Sequence, residues 1–401
     1  MGILQRKATD PVVIDTPDRL SSYLSSGSSS ASGVVVNPTT AMQYSAWWSA
    51  VRVIAESVGM LPLHLFEEQG DLRIKVRSKL YTLLNIQPND YMTAREFWTM
   101  CGMYLASRGN FYAWKNIING EVVELLPLPP DTVQPRLRSD WSVVYQVHFP
   151  GGRVAMMDQD EIFHVRIMSK DGLVGVDPIT ALRDALGEAL AGDRQAARSF
   201  KNGSRLSGIL STTGTIGDGE YERIRESWEQ TYSGPENAYK VAILESGLTF
   251  QGLSMTNEQA QFLQLRQYKR AETAGILRVP PHKIGDLSRA TFSNIEHQSQ
   301  EFVNDCLSTY FTNIEARIRV SLVPKDKRAV MFAKFNLNAL LRGDMIARST
   351  FYTRMEQAGA MSPNEIREFE DMNPREGGDI YLTPVNMLID GKPVSTPEPA
   401  K

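Results

Sequence analysis

Residues 338–344 read N-A-L-L-R-G-D, residues 362–367 read S-P-N-E-I-R, and residues 376–379 read E-G-G-D. Taken singly, each is a cap or a turn. Ser362, Pro363 and Glu365 form a capping box with proline in the first helical turn, and Pro374 lies just beyond that helix's end. Another helix precedes it, so two helices close the chain. Upstream, Lys334 to Leu337 reads as a strand returning to the body. Before it runs the longest amphipathic helix, with Ile295, Phe302, Val303, Cys306, Leu307, Tyr310, Phe311, Ile314, Ile318 and Leu322 on one face.

Further out, Val279-Pro280-Pro281 must break a helix spanning about 257–278, because proline lacks the N–H donor and clashes with the preceding turn. The loop 280–293 reads P-P-H-K-I-G-D-L-S-R-A-T-F-S; Gly285 permits a turn and Asn294 can begin the next helix. A matching long helix runs from Ile179 to about Lys201 after Asp177-Pro178. Between the two lies an insert, 202–255: a strand, a helix with Tyr221, Ile224 and Trp228 on one face, and a hairpin at Ser246-Gly247. Helix, small insert, helix is a stalk that carries a tip and returns.

The first half reads as an α+β unit. Residues 40–58 form a helix with Trp47, Val51, Ile54 and Val58 inward and Gly59 as its C-terminal cap. Leu61 to Phe66 alternates as a strand that turns at Gly70 into Arg73–Val76. Thr93 and Glu96 cap a helix carrying Phe97, Cys101, Tyr104 and Leu105 inward. A hairpin follows at Asn119-Gly120, then strands over 143–149, 151–156 and 161–165. The Ser/Gly tract ending the first 33 residues and the tail 391–401 have too little apolar surface to repay chain ordering.

With 42% hydrophobic and 22% charged residues and a net charge of -3, the composition is that of a globular protein with no overall pull toward nucleic acid. No apolar run approaches the ~18 residues needed to span a bilayer. Cys101 and Cys306 lie on apolar helical faces and read as buried free thiols. Chemistry is hard to find. There is no G-x-x-x-x-G-K-[ST] and no G-x-S-x-G; Gly214-Thr-Ile-Gly-Asp-Gly219 reads as a surface turn. His64, His148 and His164 fall in strands as structural histidines, and no metal-ligand spacing joins them to His282 or His297. Asp158, Asp160 and Glu161 read as a solvated turn. Trp47, Trp48, Trp98, Trp114 and Trp228 sit in periodic apolar faces, which favours core packing over base stacking. Arg194, Arg198 and Lys201 cluster on the first stalk helix, and Arg266, Lys269 and Arg270 on the second. In a monomer these are solvated faces; in a ring they flank a channel.

The ordered C-terminal series resembles the signature of tailed-bacteriophage portal proteins of the long-tailed-phage family. Further segments extend the resemblance over about residues 38–388: A46-W-W-S-A-V-R-V-I-A-E-S-V-G-M-L-P-L63, L80-Y-T-L-L-N-I-Q-P-N89, G109-N-F-Y-A-W114, E124-L-L-P-L-P-P-D-T-V133, Q261-F-L-Q-L-R266 and F292-S-N-I-E296. The insert and both tails match loosely. The resemblance implies a portal-type α+β fold. After an N-terminal arm (1–37) it would comprise a wing (38–177), a stem helix (178–201), a clip (202–255) and a second stem helix (256–279). A tunnel loop (280–293), a tunnel helix returning to the wing (294–343), a crown (344–388) and a tail (389–401) complete it. It implies a dodecameric ring at one capsid vertex, acting in DNA packaging and ejection. The ring would pass double-stranded viral DNA and touch the major capsid protein. It would bind the terminase large subunit and later head-completion proteins at the clip, where Glu222, Arg225 and Glu229 are candidates. Lys283, Arg289, His282 and Ser288 would line the tunnel loop. The expected locations are the virion and, during assembly, the host cytoplasm, with no enzymatic activity, metal, cofactor or membrane. Two other classes stand beside it: a monomeric scaffold or adaptor, and a nucleic-acid-processing enzyme, which would need a carboxylate or His/Cys cluster.

Overall fold

The computed structural model describes residues 30–70, 72–201, 208–211, 217, 219, 221–224, 226, 249–252, 257–287, 298–337, 345–370, 372–382, 388–389 and 392–393. The chain divides into two compact units, the first ending at Phe335 and the second beginning at Asn336.

In the first unit a short helix α1 (Pro38–Ala41), capped by Asn37, leads into α2 (Ser45–Met60). Trp47, Val51, Ile54 and Val58 are fully buried along α2. Trp48 is not a core residue: it lies 46% exposed, because one step along a helix turns a side chain by about 100°. Gly59 does not cap α2 either. The helix runs through it to Met60, and Gly59 is buried where a side-chain carbon would stand 1.9 Å from Thr99 Oγ1 and 2.8 Å from the Arg95 carbonyl. The missing side chain serves close helix approach, not a left-handed turn. Strands β1 (Leu63–Gln69) and β2 (Leu72–Lys75) follow, joined at Gly70 with φ +62°. Next come α3 (Lys79–Asn85) and α4 (Ala94–Arg108). The Thr93–Glu96 capping box forms at α4, the Thr93 N–H donating to Glu96 Oε2 at 2.7 Å.

Strands β3 (Asn110–Ile118) and β4 (Glu121–Leu128) make the expected hairpin, with φ +53° at Asn119 and +80° at Gly120. Then come β5 (Val133–Leu137), β6 (Val143–His148), β7 (Val154–Asp158) and β8 (Ile162–Arg166). They form two antiparallel sheets, ordered β4-β3-β8 and β5-β6-β7. Tyr112, Leu128, Val133, Tyr145, Val147, Met157 and Ile162 make one buried cluster drawn from both sheets.

After Asp177, which caps the next turn, the first long helix is interrupted. A turn α5 (Pro178–Ala181) ends at Leu182, whose φ −109° and ψ 21° are not helical, and α6 (Arg183–Lys201) starts anew. Strands β9 (Gly208–Ser211) and β10 (Thr249–Gly252) pair antiparallel, bringing the two ends of the insert together, and α7 (Asn257–Ile276) returns. The hairpin at Ser246-Gly247 and Trp228 lie outside the described residues. The long amphipathic helix is helical from residue 298, opens into a π-helical segment over Phe302–Leu307, and continues as α8 (Ser308–Ser321). Phe302, Val303, Cys306, Leu307, Tyr310, Phe311, Ile314, Ile318 and Leu322 are all buried. Strand β11 comes earlier than the sequence suggests, at Met331–Phe335, because Met331, Ala333 and Phe335 are the buried alternate positions. It pairs antiparallel with β1, Leu63 opposite Phe335. An aromatic chain then ties distant segments together: Phe97 on α4 meets Phe111 on β3 at 5.2 Å, and Trp98 meets Phe335 on β11 at 6.1 Å. Phe335 meets Phe311 on α8 at 4.8 Å. Such rings bury large areas, so they dominate the core energy.

The second unit contains α9 (Met345–Gln357) and α10 (Pro363–Phe369). The Ser362–Glu365 capping box is formed. The S-P-N-E-I-R and E-G-G-D motifs prove to be one device. Asn364 is buried and its amide donates to the Arg375 carbonyl at 3.0 Å and to Asp379 Oδ1 at 2.8 Å, while its Oδ1 accepts the Arg375 N–H at 2.8 Å. The Asn364 N–H donates to the Gly378 carbonyl. A side-chain carbon at Gly378 would lie 2.3 Å from Asn364 Oδ1, so only glycine fits. The N-A-L-L-R-G-D stretch lies outside the described residues.

Candidate functional site

The elbow where α7 gives way to the long helix is tightly built. Val279 and Pro280 are buried, and Pro281–Ile284 form a 3-10 turn whose Ile284 is 4% exposed. Arg278 adopts φ +54°, unusual for a residue with a side chain, and its guanidinium donates to the Asp305 carbonyl. Cys306 donates its thiol to the Leu277 carbonyl at 3.4 Å, and burial pushes that thiol up to about 12. Both partners lie in the π segment, where widened turns free backbone groups for such contacts. His282 Nδ1 meets Gln298 Oε1 at 2.9 Å, and the Lys283 ammonium sits 5.4 Å over the ring of Phe302. Lys283 is therefore not at an unrestrained tip: residues 280–287 are a packed turn, because Ile284 needs burial as much as the prolines need a break. Ser288 and Arg289 lie outside the described residues.

The basic residues of the two long helices part company. Arg266 pairs with Asp193 at 2.9 Å, and Lys269 bridges Glu188 at 2.7 Å and Glu272 at 3.0 Å. The pairs to Asp193 and Glu188 lash α7 to α6. Arg270 is half-buried and Arg194 exposed, and neither makes an ion pair among the described residues. Arg198 and Lys201 fall in the last turns of α6, where side chains are not described. Arg266, Lys269, Arg270, Glu188, Asp193 and Tyr44 are among the residues lining a cleft of about 620 Å³. Glu222 stands exposed in a helical turn, while Arg225 and Glu229 lie outside the described residues.

Two buried polar groups stand out, and sequence reasoning missed the first, Lys115. Lys115 is 5% exposed, yet its ammonium donates to the carbonyl and the hydroxyl of Ser321 at 3.2 Å each, at the C-terminal end of α8. Burial pulls it down to about 8. The alternation of β3 does place position 115 inward, beside Phe111 and Ala113, which was the legible clue. His164 is the structural histidine its strand position implies. Asn110 Oδ1 accepts the Gly175 N–H at 2.7 Å, so His164 Nε2 must be the donor to it at 3.1 Å, leaving Nδ1 to accept from the Tyr145 hydroxyl. Burial holds its pKa well below the usual histidine range. Arg108, half-buried, is matched to both Asp131 and Asp177. Cys101 and Cys306 are buried free thiols. Among the described residues no three acidic, histidine or cysteine side chains gather as metal ligands.

The arrangement offers packed elbows, bridged helices and a cleft, features suited to assembly. The chain is 33% identical over 354 residues to the portal protein of Enterobacteria phage HK97, covering 86% of this chain and 83% of that one. It is 30% identical over 387 residues to a probable portal protein of Streptomyces phage phiC31, covering 93% and 84%. Its fold is similar to a chain in the neck of the native GTA particle computed with C12 symmetry. There the TM-score is 0.59 at 21% identity, over 84% of this chain and 94% of that one. The phage portal protein model matches residues 45–371, and on that span this chain belongs to the phage portal protein family.

Proposed function

We propose that this chain assembles into a closed dodecameric ring at one capsid vertex, the channel for DNA packaging and ejection. In that ring the α/β body is the wing, α5, α6 and α7 the stem, residues 202–255 the clip, 280–293 the tunnel loop and 344–388 the crown. The observation that carries this reading is the pair of long helices. They leave an α/β body, are bridged by ion pairs, and return through a tightly packed elbow into the helix of the body's own core. The terminase large subunit and then head-completion proteins dock at the clip, and the major capsid protein surrounds the ring, in the virion after assembly in the host cytoplasm. The part played is a conduit's, without catalysis.

Electrostatics fit a conduit. Each phosphate a protein neutralises deepens its grip on DNA, and tight binding opposes translocation. With Arg266 and Lys269 committed to Asp193 and Glu188, the stem presents less free positive charge than its sequence suggests. Native mass spectrometry of the purified chain should give closed assemblies, which head-to-tail contacts around one axis produce, of about the twelve subunits that the family resemblance implies. Monomers or dimers alone, at high concentration across salt conditions, would overturn the reading.

The tunnel loop has its own expected outcome. The double variant Lys283→Ala, Arg289→Ala should form rings as the parent does. Among the described residues Lys283 contributes a cation–π contact over Phe302, worth about 0.5–1 kcal/mol. DNA packaged or retained per particle should change. Equal packaging and retention would show that the loop does not touch DNA.

A further inference from the structure

The cleft between α6 and α7 has the root of the N-terminal arm at its rim. Ser32 lines it, together with Ala189 and Ala191 of α6 and Leu265 and Arg270 of α7. Just before, Ser30 is buried and fixed: its hydroxyl donates to the Val34 carbonyl at 2.7 Å and its N–H to the same carbonyl at 3.0 Å. The Ala31 N–H donates to Asp184 Oδ1 on α6 at 2.9 Å. Gly187 of α6 makes room for this turn, since a side-chain carbon there would overlap the Ser30 hydroxyl. The chain therefore reaches the cleft pinned to one of its walls. Two lining residues lack partners suited to them. Leu265 is 51% exposed. Arg270 is half-buried and makes no hydrogen bond or ion pair among the described residues, although acids meet Arg266 and Lys269 beside it. An apolar wall and an uncompensated guanidinium thus stand about 7.5 Å apart along the axis of α7.

We propose that this cleft binds a short extended peptide carrying an apolar residue and an acid, and that its occupant is residues 12–16 of the chain's own N-terminal arm. Those residues read V-V-I-D-T between Pro11 and Pro17. The residue before a proline favours extended backbone, and in an extended chain alternate residues share a side. Val13 and Asp15 then face one way, about 6.8 Å apart, which matches the step from Leu265 to Arg270. Val13 packs on Leu265, and Asp15 accepts a charge-assisted hydrogen bond from Arg270. Charge excludes the first residues of the arm, where Arg6 and Lys7 would face Arg270. Residues 21–30 read S-S-Y-L-S-S-G-S-S-S, the composition of a compliant tether. From Asp15 to Ser30 such a chain spans about 20 Å on average, enough to fold back from the rim. It also holds the segment near the cleft at an effective concentration of roughly millimolar, an advantage that the arm of a second copy lacks. The assignment is independent of the ring reading.

Cysteine trapping in the full chain tests it, since the native thiols Cys101 and Cys306 are buried. The pair Val13→Cys, Leu265→Cys should form a disulfide under mild oxidation and stay at monomer mass on a non-reducing denaturing gel. It should form several-fold faster than the pair Leu20→Cys, Leu265→Cys, although position 20 lies nearer the root. A tether without a seat gives the reverse order. Adding Arg270→Gln or Asp15→Asn should slow the link at position 13 by about 10-fold, the effect of losing a charged hydrogen bond. Both changes together should slow it no further than either alone, because they remove the same contact. A link at position 20 as fast as that at 13, or a link at 13 indifferent to both charge changes, would overturn the proposal. Dimers on the gel would assign the cleft to the arm of a second copy, and no link at all would assign it to another ligand; either result overturns it too.

Discussion

Gly59→Leu is expected to destabilise the protein by about 3 kcal/mol, read as a lowered midpoint in chemical denaturation. A side-chain carbon there would stand 1.9 Å from Thr99 Oγ1, 2.8 Å from the Arg95 carbonyl and 2.9 Å from the Thr99 nitrogen. Two of these three atoms are backbone, so no rotamer change relieves the clash; α2 and α4 must separate. The seam has no slack elsewhere, since a carbon on Gly102 would lie 3.0 Å from Ala55 Cα. Separation would also loosen the aromatic chain through Phe97, Trp98 and Phe111. Gly192→Ala is the control: nothing lies within 4 Å of its added carbon in α6, and alanine should stabilise the helix there by about 0.5–1 kcal/mol. A Gly59→Leu protein as stable as its parent would mean that α2 and α4 do not touch at this seam.

Lys115→Met is expected to remove a pH dependence. In the folded protein Lys115 loses its proton at about 8, against an ordinary 10.5. Between those values the unfolded chain binds more protons than the folded one, so stability rises with pH across that window. The penalty for the buried charge is fully present below pH 8 and is relieved as pH climbs toward 10.5. A shift of this size corresponds to something on the order of 3 kcal/mol. The parent should therefore gain stability between pH 8 and 10.5 by urea denaturation, and the variant should lack that rise. Near pH 7 the variant loses two hydrogen bonds to Ser321, worth about 1 kcal/mol each, but sheds the charge. Parallel stability curves for the two proteins across the window would refute the assignment.

What could be read along the chain was local. Caps at Thr93 and Ser362 formed because their partners lie three residues away, and the turn at Asn119-Gly120 formed because both residues tolerate positive φ. The apolar face from Phe302 to Leu322 is buried, and the proline break fell at Val279–Pro281. Family resemblance was legible in the order of short motifs, although no one of them needs that family.

The candidate site was legible only as a set of basic residues. Spacing on one helix shows which residues share a face, but not which acids the other helix brings. Thus Arg266 and Lys269 read as free cations until Asp193 and Glu188 met them. The same limit explains Gly59, taken for a cap when its neighbour is Thr99 on another helix. It explains Asn364, which joins two motifs eleven or more residues apart, and the π segment, which departs from helical periodicity to supply carbonyl and thiol partners for the elbow. Sequence by itself determined the caps at Thr93 and Ser362, the turn at Asn119-Gly120, the proline break and the family, because those depend on contacts within a turn or on motif order. Tertiary structure alone decided which charges are neutralised and which glycine is a contact, because each depends on what distant segments bring to the same place.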